Sequence, residues 1–232
     1  MLDWRAVSDF PCPYDECDGS GMVLDVAANA ARPCRCWDQR RANRRARALS
    51  HHIPRRYRGA GFDRYPVTEI DPEVVRDVRR YCDTIEDRLD RGDGLWFTGP
   101  KGTGKTTLAM IVSKHALGAR RSVAIYTAPV LLAHIAATYE QDAHHTYLEF
   151  MDRLAAVDLL HIDDMAVARQ TELVLEQLYT VINRRYEDQR SIVFTTDHSD
   201  LGACVGHRTF SRLREMCGDP LLLEGEDARV TF

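Results

Sequence analysis

The sequence lacks any long apolar stretch. No run approaches the roughly 18 to 20 consecutive apolar residues that a membrane-spanning helix needs. The first residues, MLDWRAVSDF, also lack the basic segment followed by an apolar one that marks a secretory signal. These two absences argue against a membrane protein and against a secreted one, and they favour a cytoplasmic location.

An excess of positive charge is also missing. The chain of 232 residues has 31 Lys and Arg against 35 Asp and Glu, so its formal net charge is −4. This balance argues against a protein that coats nucleic acid over its whole surface, although it allows a local basic patch. The length accommodates one sizeable α/β core and a small appendage.

Cysteine is present in an odd number, seven, which argues against a complete disulfide framework. Four of these cysteines form a C-x4-C pair and a C-x-C pair near the N-terminus: Cys12, Cys17, Cys34 and Cys36. Two close pairs can converge on one tetrahedral Zn²⁺, although both spacings depart from the commoner C-x2-C. The bound metal would supply most of the folding free energy of such a small segment, about 10 kcal/mol. The competing interpretation is four unrelated thiols.

The most informative stretch that is present is GLWFTGPKGTGKTTLAM, from Gly94 to Met110. Its apolar start predicts a strand, its end predicts a helix, and the loop between them fits the phosphate-binding pattern G-x-x-x-x-G-K-[ST]. Glycines let backbone N–H groups approach a triphosphate, and the helix directs its positive end at the anion. The predicted nucleotide-binding residues are Gly99, Pro100, Lys101, Gly102, Thr103, Gly104, Lys105, Thr106 and Thr107.

Two residues of this loop have specific expected roles. We expect Lys105 to reach the β- and γ-phosphates of ATP and the Thr106 hydroxyl to hold Mg²⁺. The alternative is a glycine-rich turn that binds nothing.

Apolar segments alternate with helical periodicity along most of the chain. Strands are predicted before the loop, at Ser122 to Ala128, Val157 to Met165 and Ser191 to Asp197, and at PLLLEG near the end. Three of the predicted helices are long: one of about twenty residues with Asp71 as its N-cap, one at ELVLEQLYTVINRRYEDQ, and one from about Leu201 to Met216. In the second of these, apolar residues including Leu173 and Leu178 lie on or near one face. The pattern predicts an α/β fold with a five-stranded, mainly parallel sheet between helices.

The strand VDLLHIDDM ends in two acids. The carboxyl end of a buried strand lies beside the phosphate-binding loop in this kind of sheet. We therefore expect Asp163 to hold Mg²⁺ through water, and Asp164 to orient and deprotonate the attacking water.

A basic segment, WDQRRANRRARALSHHIPRRYR, connects the cysteines to the remainder and carries eight arginines and one acid. It predicts a helix from Asp38 to Ser50 that either binds an acidic partner or nucleic acid, or is a solvated connector. The expected organisation is a zinc-binding module at 1–37, a basic helical linker at 38–58 and an ATPase domain at 59–232.

These segments together resemble the DnaC/DnaI-type bacterial helicase loaders, which are AAA+ ATPases, and their relatives the IstB-type transposition helpers. The segments that carry the resemblance are IPRRYRGAGFD, GPKGTGKTTLA, IYTAPVLLAHI, DLLHIDDM, SIVFTTD, and HRTFSRLREM followed by a strand and GEDAR. The four cysteines and the IPRRYRGAGF segment are more typical of the loaders.

The resemblance implies further site residues. Arg212 corresponds to the arginine finger that reaches the γ-phosphate held by a neighbouring subunit, with Arg208 as the competing candidate. Thr196 takes the polar sensor position, where Asp197 would be repelled by the γ-phosphate. Asp164 stands where many relatives have Glu, which implies slow hydrolysis.

The implied function is ATP-dependent loading of a hexameric, DnaB-type replicative helicase that binds the N-terminal region. The ATP-assembled core would hold single-stranded DNA, partly through residues from Ala128 to about Leu154, and it would lack a helical lid domain. The implied cofactors are ATP, Mg²⁺ and Zn²⁺. The alternatives are an IstB-like transposition helper and an adaptor that binds nucleotide without hydrolysing it.

Overall fold

The computed structural model describes residues 12–25, 30–37, 53–138, 146–165, 172–197, 200–225 and 227. They fall into two compact units, within Met1–Arg45 and Ala46–Phe232. The helix predicted from Asp38 to Ser50 lies outside the described residues.

The first unit contains an antiparallel hairpin of β1 (Met22–Asp25) and β2 (Ala30–Pro33). The backbone N–H of Cys34 donates to the Gly21 carbonyl oxygen at 2.9 Å, so the chain returns beside the first cysteine pair. The interior of this unit consists of Cys12, Cys34 and Cys36, with Cys17 and Val23 against them. A core made almost entirely of thiols offers little apolar burial.

The second unit is built on a five-stranded sheet in the order β4-β5-β6-β3-β7, with every pair of neighbours parallel. Its strands are β3 (Leu95–Thr98), β4 (Val123–Thr127), β5 (Leu159–Asp163), β6 (Ser191–Thr196) and β7 (Leu221–Leu222). The predicted α/β fold with a five-stranded parallel sheet is confirmed.

Helices cover both faces of this sheet, and a separate hydrophobic cluster lies under each face. They are α1 (Pro72–Asp83), α2 (Ile85–Arg91), α3 (Lys105–Gly118), α4 (Ala128–Ala137), α5 (Tyr147–Ala156), α6 (Glu172–Glu187), α7 (Leu201–Val205) and α8 (His207–Cys217). Short 3₁₀ turns occur at Arg55–Tyr57 and Val67–Glu69. Within the described part of the chain, no helix is long and apolar enough to cross a membrane.

Two predicted helices are wrong in their continuity, because each is divided in two. Asp71 caps the first as predicted, accepting from the Glu73 N–H at 2.8 Å, but α1 ends at Asp83. There the Thr84 hydroxyl donates to the Arg80 carbonyl at 3.1 Å, a local bond that competes with helix continuation. The second is interrupted by Gly206, whose φ of 81° and ψ of 149° are not helical.

A fully buried arginine joins the helices to the sheet. The guanidinium of Arg185 in α6 donates to five backbone carbonyls around the ends of α5, β5 and β6: Leu154 at 2.6 Å, Ala155 at 3.4 Å, Val157 at 3.0 Å, Asp158 at 3.3 Å and Ser191 at 2.5 Å. Burial lowers the pKa of Arg185 to about 9. The carbonyls offset the cost of removing this cation from water and fix α6 against the strands that carry the site.

Candidate nucleotide-binding site

The phosphate-binding loop (residues 99–106) connects the end of β3 to the start of α3. Gly99 has a φ of 137°, in the region that favours glycine. A Cβ atom there would lie 2.0 Å from the Leu223 carbonyl oxygen, because the Leu223 N–H donates to the Thr98 carbonyl at 2.8 Å. The chain after β7 therefore approaches the loop so closely that only glycine fits.

Lys105 is buried within this loop. Its Nζ donates to the carbonyl oxygens of Gly99 at 2.7 Å and Pro100 at 2.6 Å, and the Thr103 hydroxyl donates to the same Pro100 carbonyl at 2.9 Å. The ammonium group lies at the N-terminal end of α3, where free backbone N–H groups and the helix dipole also favour an anion. This combination of donors suits the phosphates of a nucleotide.

The structure brings Thr106 of the loop to Asp163 at the end of β5. The Thr106 hydroxyl donates to the two carboxylate oxygens of Asp163 at 2.9 and 3.2 Å. Mg²⁺ in nucleotide sites is held by a few hard oxygen ligands of this kind. The pair therefore fits the magnesium site that the sequence predicts.

Asp164 has an uncommon backbone conformation for a residue other than glycine, with a φ of 57°. Its N–H donates to the Thr195 hydroxyl at 2.9 Å. Burial raises the pKa of Asp164, and the carboxylates of Asp197 and Asp163 raise it further, against the effect of the nearby Lys101 and Lys105. A raised pKa is the property that a general base requires.

Thr195 is a site residue that the sequence analysis missed. Its hydroxyl donates to Asp163 at 2.7 Å, while it accepts from the Asp164 N–H, so it connects both acids to β6. Thr196 is fully buried at the end of the same strand, and its sensor role stays a prediction. Asp197 lies 3.5 Å from Lys101. Neighbouring strand residues face opposite sides, and the TT pair gave no signal of which threonine faces the acids.

A cavity of about 350 Å³ lies between the loop and the turn segment (residues 53–66). This volume is at the lower end of the range for small-molecule sites. Arg56, Tyr57, Arg64 and Tyr65 line one side, and Gly102, Gly104 and Lys105 are among the residues that line the other. In the sequence, this segment indicated only a family resemblance.

One lysine holds the turn segment in place. The Nζ of Lys114 in α3 donates to the Arg58 carbonyl at 3.0 Å and to the Ala60 carbonyl at 2.5 Å. The helix that begins in the phosphate-binding loop therefore also fixes the opposite wall of the cavity. This contact was not predicted.

The two candidate arginine fingers lie on α8, and their described contacts are with α6 and α8 rather than with the phosphate-binding loop. The guanidinium of Arg208 is 4.1 Å from the centre of the Tyr179 ring, and that of Arg212 is 4.2 Å from the centre of the Tyr186 ring.

In the first unit, the Sγ atoms of the four predicted ligands all lie within 4.8 Å of one another. The distances are 3.7 Å between Cys12 and Cys34 and 3.6 Å between Cys17 and Cys36. These are far longer than a disulfide bond and close to the edge of about 3.8 Å expected for a tetrahedron with metal–sulfur bonds of about 2.3 Å. The cluster is compatible with a zinc ion.

Burial and hydrogen bonding shift the pKa values of these thiols in opposite directions. Burial raises the pKa of Cys36 to about 12, and the neighbouring thiols add to the rise. Burial acts to raise the pKa of Cys12 too, but hydrogen bonds from the backbone N–H groups of Tyr14, Glu16 and Cys17 lower it to about 6. Four thiols this close together can all be deprotonated only when a cation lies among the sulfur atoms.

The sheet order, the phosphate-binding loop and the acids at the end of β5 define an α/β protein with a phosphate-binding loop. The chain belongs to the family of IstB-like ATP binding proteins, whose model matches residues 28–206.

Among curated relatives, the replicative helicase loader DnaC of Buchnera aphidicola (strain APS) is 23% identical over 161 residues, covering 68% of this chain and 64% of that protein. The match thus spans less than two thirds of that relative. A crystal structure of the DnaC helicase loader superposes with a TM-score of 0.60 and 23% identity, covering 74% of this chain and 100% of that one. A structure of the replication initiator DnaA bound to AMPPCP and single-stranded DNA superposes with a TM-score of 0.62 and 19% identity. It covers 76% of this chain and 52% of that one. At these identities the structural likeness shows the fold alone.

Proposed function

We propose that this protein is an ATP-dependent loader of a hexameric replicative helicase. The observation that carries the proposal is the contact of Thr106 with Asp163, next to Lys105 and beside a cavity of about 350 Å³. Family membership supports ATP as the nucleotide, and the name of the Buchnera relative supports helicase loading.

The residues divide the chemistry as follows. Lys105 and the backbone N–H groups of the loop, at residues 99 and 101–107, would bind the triphosphate, while Thr106 and Asp163 would hold Mg²⁺, which would supply charge neutralisation at the phosphates. Asp164 orients the attacking water and takes its proton. Arg212 of a neighbouring protomer meets the developing charge, so that turnover depends on ATP-driven self-association.

Hydrolysis is slow in this proposal, and it acts as a release step. Asp164 has a shorter side chain than Glu, and its N–H is bound to Thr195. Thr196 supplies the sensor contact. The ATP-bound assembly holds single-stranded DNA, and turnover releases the loader. The proposed domains are the module at 1–37, the linker at 38–58 and the ATPase domain at 59–232.

Three substitutions test the site. Lys105→Ala is expected to abolish ATP binding, whereas Asp164→Asn and Arg212→Ala are expected to retain ATP and to lose turnover. Nucleotide affinity is measured with a fluorescent ATP analogue, and turnover by phosphate release with single-stranded DNA present. Unchanged turnover in either of the last two variants removes that residue from the mechanism.

The partner is tested by light scattering after gel filtration of the protein mixed with the replicative helicase of its host, with and without ATP and Mg²⁺. We expect co-elution that disappears when residues 1–52 are deleted, because the cysteine module and most of the basic linker are the proposed docking region, while Arg56 and Tyr57 line the nucleotide cavity and are kept. Separate elution under both conditions contradicts the loader proposal.

A second candidate is an IstB-like transposition helper, and the observation that favours it is the description of the matching family. Such a helper would assemble with ATP on duplex DNA and bind a transposase. Assembly on duplex rather than single-stranded DNA, together with separate elution from the helicase, would favour it.

A further inference from the structure

Two arginines of α8 lie along a row of polar residues on α6. Arg208 and Arg212 are one turn apart, and they face Tyr179, Asn183 and Tyr186, which share one side of α6. We call these five residues the arginine face. Each arginine has its own tyrosine, at 4.1 Å for Arg208 and 4.2 Å for Arg212.

The Arg212 side chain contacts more residues than the Arg208 side chain does. Its Nε donates to the Asn183 side-chain oxygen at 3.3 Å, its guanidinium plane lies over Tyr186, and its Nη1 is 3.6 Å from Glu215. The described contacts of Arg208 are both with Tyr179: the ring, and a hydrogen bond to its hydroxyl at 2.9 Å. The two arginines therefore differ in how far their geometry is fixed.

The contacts of Asn183 and Tyr186 extend beyond Arg212. Asn183 also accepts from the Tyr179 hydroxyl at 3.3 Å and donates to Glu187 at 2.9 Å. The Tyr186 hydroxyl donates to Glu215 at 2.6 Å. The side chains that hold Arg212 are thus themselves fixed by hydrogen bonds.

Core packing does not require this arrangement, because the Arg212 side chain keeps 34% of its surface exposed. A surface arginine normally samples many rotamers and loses that freedom on meeting a partner. Stacking on an aromatic ring and a hydrogen bond at Nε restrict those rotamers beforehand, while the Nη edge can still meet a phosphate.

We propose that Tyr186 and Asn183 are positioning residues that hold Arg212 toward the triphosphate bound by a second copy of this chain. The inference rests on the proposed function, in which that triphosphate is ATP. Glu215 is the contact that yields when the phosphate arrives, because its 3.6 Å separation from Nη1 is longer than a hydrogen bond. Asn183 and Tyr186 keep their contacts.

The first test compares substitutions along the arginine face. Tyr186→Leu and Asn183→Ala are expected to lower kcat about tenfold, the size of one cation–π contact or charge-assisted hydrogen bond, with KM for ATP within about twofold. Tyr186→Phe keeps the ring and is expected to retain most of the activity. Arg208→Ala is the matched control, because the described contacts of Arg208 are with Tyr179 alone, and it should leave kcat unchanged.

The second test measures self-association of the protein rather than ATP turnover. Light scattering at increasing protein concentration, with ATP and Mg²⁺, gives the midpoint of self-association. We expect Tyr186→Leu and Asn183→Ala to move this midpoint to higher concentration, while the affinity of the protomer for a fluorescent ATP analogue stays unchanged. Thermal melting of each variant establishes that it is folded, and Asn183→Ala carries the test if Tyr186→Leu is not.

Mixing two variants tests whether the arginine face acts on the ATP of a neighbouring protomer or only affects the protomer that carries it. An Asp164→Asn protomer cannot hydrolyse ATP, but it carries an intact arginine face. Added to Tyr186→Leu protomers, it is expected to restore their turnover, as it should for Arg212→Ala protomers. A mixture of Tyr186→Leu with Arg212→Ala should show no restoration, because both lack a positioned arginine.

The outcomes distinguish the inference from the proposed function. If Arg212→Ala loses turnover while Tyr186→Leu and Asn183→Ala keep it, or if mixing with Asp164→Asn restores nothing, the positioning role is overturned and the loader proposal stands. If Arg208→Ala loses turnover while Arg212→Ala keeps it, Arg208 is the finger and the inference is wrong. If the unmodified protein neither assembles with ATP nor hydrolyses it, both are overturned.

Discussion

At the scale of single residues, Gly102, like Gly99, has no room for a side chain in the phosphate-binding loop. Its φ is 80°, and a Cβ atom there would lie 1.8 Å from a carboxylate oxygen of Asp227 and 2.7 Å from its Cα. Moving the far end of the Asp227 side chain cannot relieve both contacts, so the backbone of the loop or of Asp227 must shift. The left-handed conformation costs a further ~1–2 kcal/mol with a side chain present.

We therefore expect Gly102→Ala to weaken ATP binding about tenfold or more, since the same N–H groups must bind the phosphates. Titration with a fluorescent ATP analogue measures this. Gly118→Ala is the control, because a Cβ atom at Gly118 meets nothing within 4 Å. Equal affinities in the two variants would show that the loop tolerates the contact with Asp227.

A second prediction at this scale concerns the pH dependence of turnover. The pKa of Asp164 is raised by burial and by the carboxylates of Asp197 and Asp163. A general base works when it is deprotonated, so turnover falls as pH drops through this pKa. Asp197→Asn removes a negative neighbour and makes the proton easier to lose.

The acid limb of kcat is therefore expected to move to lower pH in Asp197→Asn. Turnover measured from about pH 5 to 8 gives the limb. Asp200→Asn is a suitable comparison, because the same type of change is made outside the described contacts of Asp164. An acid limb that does not move means that another group, not Asp164, limits turnover.

At the scale of helices and strands, periodicity predicted most of the second unit and its parallel sheet. The same reasoning failed where one side chain interrupts a helix, as the hydroxyl of Thr84 does at the end of α1. It also placed Leu173 on the apolar face of α6, although 59% of that side chain is exposed. Hydrophobic periodicity reports the average orientation of a helix or strand. It therefore misses individual hydrogen bonds and the residues at the ends of a buried face.

The candidate site also has a part that could be predicted from the sequence and a part that could not. The loop and the two acids follow a fixed spacing, so the sequence predicted the contact between Thr106 and Asp163 in outline. Thr195, Lys114 and the turn segment reach the site through tertiary contacts between residues distant in sequence. No local pattern records those contacts.

Lys114 gives the prediction that belongs to this scale. Its two hydrogen bonds join α3 to the turn segment, which forms one wall of the cavity. Lys114→Met keeps the length of the side chain and removes its charge and donors. We expect a loss of stability of ~1–3 kcal/mol and several-fold weaker ATP binding, because the wall is no longer fixed.

Thermal melting and nucleotide titration measure the two effects. Lys114→Arg keeps a cation that can donate to both carbonyls, and it should recover much of the loss. Unchanged ATP affinity in Lys114→Met, together with a lower melting temperature, would mean that the turn segment does not contribute to nucleotide binding.

At the scale of the whole molecule, the two units obtain their stability from different sources. The second unit buries two large apolar clusters, whereas the interior of the first consists mainly of cysteine. Without a metal, the first unit has too little apolar burial to offset the entropy of ordering its chain. A zinc ion held by four thiolates would contribute about 10 kcal/mol or more.

Removal of zinc by a strong chelator is therefore expected to unfold the first unit and to leave the second folded and able to bind ATP. Amide hydrogen exchange separates the two, because protection should be lost around β1 and β2 and kept in β3 to β6. Cys34→Ser should unfold the first unit even when no chelator is present, since it removes a buried ligand. Cys82→Ser is the control, because Cys82 belongs to the core of the second unit and is not one of the four predicted ligands. Full protection of β1 and β2 in protein shown to contain no zinc would refute the metal site.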